Sequence, residues 1–334
     1  MKTHLSGVQP SGLQHFGNYF GAIRRHVAAQ DDGNEHFYFI ADYHALTTLR
    51  DPEKLRETVT ELAVTYLALG LDPERAVLFR QSDVPEVCEI AWLLATVTGM
   101  GLLERAHSFK DKIAQGIKPT VGLFTYPVLM AADILAYDPD FVPVGKDQVQ
   151  HVEMTQDMAG YFNGAYGEVF KRPEALIPEE EEFAKVPGLD GRKMSKSYGN
   201  HVWIFEEGKA LKKAISGILT DSRGPEEPKD PKELLLFDFL RLFVPADEVA
   251  QWEERVRRGG PDAPGYGHLK ARIVEGIDAC FGPARARRKE LLADRGELER
   301  ILTKGAEKAR TRARAVRDRA LAACGLRAPG GHGA

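Results

Sequence analysis

Short β-rich runs at residues 3–6, 36–41, 76–80 and 140–144 alternate with amphipathic stretches at 18–29, 52–69, 85–98 and 149–162. This alternation constrains the fold more than any other feature of the chain. Alternating units of that length imply an α/β architecture, a doubly wound parallel sheet with right-handed crossovers. Ligands in such sheets bind beyond the carboxyl ends of the strands, near the point where strand order reverses. From Glu233 onward the pattern is helical, which implies a second, all-helical C-terminal domain. A chain of 334 residues is long enough for two domains. Boundaries are expected near 1–204, 205–284 and 285–327, with 328–334 as a disordered tail.

The net charge of −4 is unevenly spread: residues 285–327 hold fourteen Lys/Arg against six Asp/Glu, leaving −12 elsewhere. A basic excess in a helical segment suits a nucleic-acid backbone, although a solvated helix has the same composition. Cys88, Cys280 and Cys324 are scattered and form no disulfide or metal framework, so neither zinc nor an iron–sulfur centre is expected. Residues 1–7 enter strand-like sequence at once, leaving no room for a signal peptide. No apolar run approaches the roughly 20 residues of a membrane helix. A cytoplasmic location is expected.

Two loops carry the chemistry. Gly7, Pro10, Ser11 and Gly12 form a small-residue turn ahead of a helix starting near Asn18. Backbone N–H groups in such a turn can approach phosphates, with His15 and Asn18 adding side-chain donors. The second loop is Lys193-Met194-Ser195-Lys196-Ser197, where lysines three apart can aim both ammonium groups together. Gly188, Gly191 and Gly199 would give it freedom to close. Neither the phosphate-loop nor the dinucleotide glycine signature is present. The pair would grip a nucleoside triphosphate from two sides.

These segments resemble the two signature sequences of class I aminoacyl-tRNA synthetases. The second matches residue for residue, and the first has Asn18 in place of a histidine. The runs at 6–12, 130–135, 142–145 with Asp147 and Gln148, and 266–270 are similar to the bacterial-type tryptophanyl branch. The resemblance implies a Rossmann-like catalytic domain and a helical anticodon-binding domain. It also implies activation of L-tryptophan by ATP with Mg²⁺, then transfer to the 3′ end of tRNA(Trp). The α-carboxyl, with a pKa of about 3.5, is already ionised and needs no general base. Catalysis should therefore rest on orientation and charge stabilisation.

By the same resemblance, His15, Asn18, Lys112, Lys193 and Lys196 are catalytic. ATP would meet Gln9, Pro10, Ser11, Gly17, Asn18, Gly145, Lys146, Asp147, Val186, Lys193, Met194, Ser195, Lys196 and Ser197. Tryptophan would meet Gly7, His44, Tyr126, Met130, Asp133, Val142, Val144 and Gln148. Spacing gives partial independent support. Tyr126, Met130, Asp133 and Tyr137 share one helical face, with Pro127 in a first helical turn. That face offers an aromatic ring, a thioether and one carboxylate able to accept a single N–H. His44 could equally be a structural donor, and His151 is read as structural.

The chain departs from the family with His15 in place of Thr, Tyr43 in place of Gln and Lys146 in place of Glu. Rival readings are the tyrosine-specific sister enzyme, a non-catalytic tRNA-binding paralogue and a small-molecule nucleotidylyltransferase. Arg310, Arg312, Arg314 and Arg317 are expected to contact tRNA, and a symmetric homodimer follows from the resemblance.

Overall fold

The computed structural model describes residues 1–106, 116, 119–177 and 186–326, leaving aside the side chain of Asp147. Lys112 and the 328–334 tail, expected to be disordered, lie outside the described residues. Five strands form one parallel sheet: β1 (Thr3–Val8), β2 (Glu35–Ile40), β3 (Val77–Arg80), β4 (Phe141–Pro143) and β5 (Glu174–Leu176), ordered β3-β2-β1-β4-β5. The chain winds outward from β1 through β2 to β3, then returns to the other flank of β1 with β4. The order therefore reverses between β1 and β4. The first loop, after β1, and the 145–148 turn, after β4, both leave the sheet there.

The helices follow the sequence closely, with exceptions of physical interest. The first begins at Phe16, two residues early, and passes through a π turn at Tyr19–Ile23 into Arg24–Ala29. The helix bearing Asp133 spans Val121–Leu135, capped by the Thr120 side chain accepting from the Leu123 N–H. Pro127 thus lies inside this helix rather than in its first turn. Tyr137 lies past the helix end, buried against Phe37 and Phe79 in the core.

The C-terminal region is helical from Leu235 to Ala323. The helix Tyr266–Ala293 runs unbroken through residues 284 and 285, so no break in the backbone marks that expected boundary. Asp294 ends it and caps the next helix, Arg295–Ala323, by accepting from the Glu297 N–H. The same apolar core holds Phe16, Phe20 and Leu62 beside Leu269, Phe281 and Leu302, so catalytic and C-terminal elements share it.

The terminal helix covers the β3 edge of the sheet, where unpaired strand groups would otherwise face solvent. A Cβ at Gly305 would stand 2.0 Å from the Leu78 carbonyl oxygen, so only glycine permits this approach. Ion pairs fix the rest. Arg310 and Arg314 both pair with Glu86, which is 1% exposed. Arg312 bonds Glu35 and Thr3, Arg317 bonds Glu89 and Asp318, and Arg319 bonds Asp138. The four arginines expected on a tRNA-facing surface therefore carry ion pairs within the chain. Burial opposes ionisation of Glu86, but Arg310 and Arg314 outweigh it and hold the carboxyl below its ordinary range.

Candidate active site

The first loop leaves β1 at Val8 and turns through Gln9, whose carbonyl accepts from the Ser11 N–H at 2.9 Å. Pro10 is buried while Gln9 and Ser11 are exposed. Gly12 takes φ +89, a conformation that favours glycine, and Gln14 folds back to donate to its carbonyl. His15 caps the helix with extended backbone. Its N–H donates to Asn18 Oδ1 at 3.0 Å. That bond commits the Asn18 oxygen and leaves its amide NH₂ as the donor for a ligand. A Cβ at Gly17 would sit 2.9 Å from the His15 ring and 3.6 Å from the Met194 Cβ. Glycine is needed there for histidine and the second loop to meet.

The second loop comes back across the first. Backbone bridges join His15 to Trp203 and Pro187 to Lys193. Lys196 Nζ donates to the Ser11 carbonyl at 2.7 Å across 185 residues of sequence. The same ammonium lies 3.4 Å from Ser11 Oγ and 5.5 Å from the Trp203 ring centre. Burial lowers the pKa of Lys196, and among the described residues its ammonium meets the neutral Ser11 oxygens and the Trp203 π face. Asn200 shapes the loop by accepting from the Ser195 N–H and donating to Asp190 and the Lys193 carbonyl. A Cβ at Gly188 would fall 2.1 Å from Asn200 Nδ2, so this glycine makes room for a packed side chain; freedom to close was the expected reason. Met194 is buried, with its N–H on the Val186 carbonyl; Ser195 Oγ accepts from Ser197, and Lys193 is exposed.

His15 is 8% exposed, and its Nδ1 is buried without a hydrogen-bond partner among the described residues. Burial, then Lys196, His201 and Lys193, push its pKa down to about 4. The ring is therefore neutral at pH 7, inside a cluster of positive or protonatable groups. A ring nitrogen without a partner, beside an ammonium that has no carboxylate partner among the described residues, suits a site that receives an anion.

The second half of the site lies at the ends of β2, β3 and β4. Asp133 is 1% exposed. Its carboxylate accepts from Gln81 Nε2 at 2.7 and 2.8 Å and from His44 Nε2 at 2.7 Å. Gln81 is oriented by its own oxygen, which accepts the Tyr43 N–H at 3.0 Å. Burial raises the pKa of Asp133, against the opposing pull of His44 and Gln81. A carboxylate offers roughly four acceptor positions, so three contacts leave space for one more donor. Around it stand Tyr126, with its hydroxyl 2.9 Å from His151 Nε2, and His44, edge-on to Tyr126 at 6.4 Å. His151 thus supports the site as well as its own helix. Met130 is partly buried in the same core, with Val142 and Val144. Gly7 has no room for a side chain because the Phe39 ring lies 2.3 Å from where its Cβ would be. Gly145, Lys146, Asp147 and Gln148 form the turn after β4; Gly145 accepts from the Gln148 N–H, and Lys146 is exposed.

Sequence reasoning missed three contributors. Gln81 follows β3 directly, where the carboxyl-end rule for strands could have found it. His201 and Trp203 flank the bridge to His15, with ring centres 4.1 Å apart and His201 6.1 Å from His15.

The model for tRNA synthetases class I (W and Y) matches residues 2–255. A tryptophan–tRNA ligase of Rhodopirellula baltica is 54% identical over 323 residues, covering 97% of this chain and 99% of that protein. The chain belongs to the class I tryptophanyl-tRNA synthetases. A ligase of the same family from Fusobacterium nucleatum is 50% identical, across 93% of this chain and 94% of its own. The solved tryptophanyl-tRNA synthetase of Campylobacter jejuni, complexed with ADP and tryptophan, superimposes with TM-score 0.91 at 48% identity. The match covers 97% of this chain and 100% of that one. A tyrosyl-tRNA synthetase of Archaeoglobus fulgidus, at 19% identity and TM-score 0.63, shares the fold alone.

Proposed function

We infer that the chain activates L-tryptophan with ATP, releasing pyrophosphate, and transfers the aminoacyl group to the 3′ end of tRNA(Trp). The observation that carries this reading is the Lys196 bond to Ser11, which joins two distant loops beside His15, whose Nδ1 has no partner among the described residues. The tryptophan carboxylate attacks the α-phosphorus, and the bond from that phosphorus to the bridging oxygen of pyrophosphate breaks. His15, the Asn18 amide, Lys193 and Lys196 take up the charge that gathers on the leaving pyrophosphate. The neutral His15 ring gains a proton more readily once phosphates arrive, because their charge offsets the lysines that depress it. The first-loop backbone and the 145–148 turn hold ATP, with Asp147 toward the ribose and Val186 toward adenine. The loop donors are cationic or neutral, so Mg²⁺ is best held by the phosphates of its own nucleotide.

Asp133 accepts the indole N–H in its remaining acceptor position, with Gln81 and His44 fixing its carboxylate. Tyr126, Met130, Val142, Val144 and Gly7 shape the apolar walls, and Gln148 addresses the amino-acid head. A tryptophan analogue lacking the N–H leaves that acceptor unpaired, a mismatch worth roughly 10⁴ in comparable sites.

The homodimer draws support from exposed apolar residues. Trp92 is 71%, Met100 62% and Val121 79% exposed. Leu46 and Val121 also line a groove of about 450 Å³ with Tyr126 and Leu129. The helices of 205–284 read the anticodon in this account, and the enzyme works in the cytoplasm. No helix among the described residues is long and apolar enough to cross a membrane.

The test is exchange of labelled pyrophosphate into ATP. Exchange that depends on tryptophan and not on tyrosine supports the assignment; tyrosine-dependent exchange, or none, overturns it.

A further inference from the structure

Many basic residues of the last two helices are committed to ion pairs, among them Arg288 with Glu61, Lys289 with Glu207, Arg310 and Arg314 with Glu86, and Arg312 with Glu35. The helix Gly208–Ser216 differs. Lys209, Lys212 and Lys213 stand at i, i+3 and i+4 on one face, all exposed, while Leu211 and Ile215 are buried at 0% on the other. None of the three has an ion-pair partner among the described residues. Like charges at this spacing repel by a few tenths of a kcal/mol per pair, a repulsion that an anion laid along this face would relieve.

The helix is also tied to both site loops. Its chain enters from Trp203, which bridges to His15, and leaves through Leu219, whose N–H donates to the Leu189 carbonyl at 2.9 Å. Leu189 belongs to the segment that leads into Lys193. Lys270 donates to the Ser216 and Ile218 carbonyls at 2.7 and 2.9 Å, fastening the end of the lysine helix to the C-terminal bundle. The surface is thus anchored to the catalytic loop on one side and to the bundle on the other. On the aminoacylation reading, the loop this helix adjoins receives the 3′ end of tRNA, whose backbone carries one phosphate charge per nucleotide.

We propose that Lys209, Lys212 and Lys213 form a contact surface for the phosphate backbone of tRNA near its 3′ end. The inference rests on the aminoacylation reading and places part of its tRNA footprint. Lysine suits the task, because a flexible point charge follows a backbone without demanding one sequence.

The experiment uses the full-length protein with Lys209→Glu, Lys212→Glu and Lys213→Glu combined, and a second protein with all three as Arg. Affinity for tRNA(Trp) is measured across a salt series, and tryptophan-dependent pyrophosphate exchange is measured in parallel. The expected result is unchanged exchange, affinity reduced at least tenfold at low salt, and a salt slope shallower by about 2 to 3. The arginine protein retains both affinity and slope. Parental affinity and slope in the glutamate protein overturn the proposal. So does loss of exchange together with tRNA binding, which makes the helix merely structural. Absence of exchange in the parent contradicts the aminoacylation reading instead.

Discussion

Gln81→Met keeps the length of the side chain and removes its polar end. The glutamine amide supplies two of the three contacts to the Asp133 carboxylate and accepts the Tyr43 N–H. Hydrogen bonds to a charged group contribute about 1.5 to 3 kcal/mol, and one between neutral groups about 1 kcal/mol. Counting the shared Gln81 Nε2 contacts as one charged bond, the substitution should cost about 2.5 to 4 kcal/mol of folding stability. It also leaves Asp133 held by His44 alone, which weakens its tendency to ionise further and loosens its aim. Tryptophan affinity should fall about tenfold or more, while ATP affinity measured without tryptophan stays unchanged. Chemical denaturation and equilibrium titration with tryptophan read the two effects. A stability change below about 1 kcal/mol with unchanged tryptophan affinity would refute the role given to Gln81.

Removing both arginines from Glu86, as Arg310→Met with Arg314→Met, strands a buried carboxylate. It should destabilise the fold by about 3 kcal/mol, read by denaturant titration, with no loss of tRNA affinity beyond that of the folded fraction. Gly305→Ala drives a methyl into the Leu78 carbonyl and should cost at least about 2 kcal/mol by the same assay. For pH, burial is the main cause holding both His15 and His26 down at about 4. Between about 4 and the ordinary 6.5, the unfolded chain binds protons that the folded chain does not. Stability is therefore fully present above 6.5 and lost as pH falls toward 4. His26→Gln should make that loss shallower when stability is followed from pH 7 to pH 4.5, and an unaltered slope would contradict it.

The parallel sheet was legible because its first four strands are β-rich runs separated by stretches of helical period. β5 was not: Glu174–Leu176 is three residues long, half exposed, and holds no β-branched side chain. The two loops were legible as short signatures, and Lys196 and Ser11 do meet. The use of the C-terminal arginines was not legible, because a charge run reads alike whether its partners are phosphates or distant carboxylates. Glu86, Glu35 and Asp138 lie far away in sequence, and only the packing of the last helix on the sheet edge brings them opposite. Gln81 escaped for a related reason: a single glutamine carries no pattern, and its meaning comes from Asp133, 52 residues on.

The claim beneath the whole account is that Lys196 and His15 act on one triphosphate from opposite loops. The single-turnover rate of tryptophanyl-adenylate formation in Lys196→Ala, at saturating tryptophan and ATP, tests it most directly. The account predicts a rate lower by about 10² to 10³, the usual effect of losing one aimed donor, with tryptophan affinity unchanged. A rate equal to that of the parent protein would contradict it.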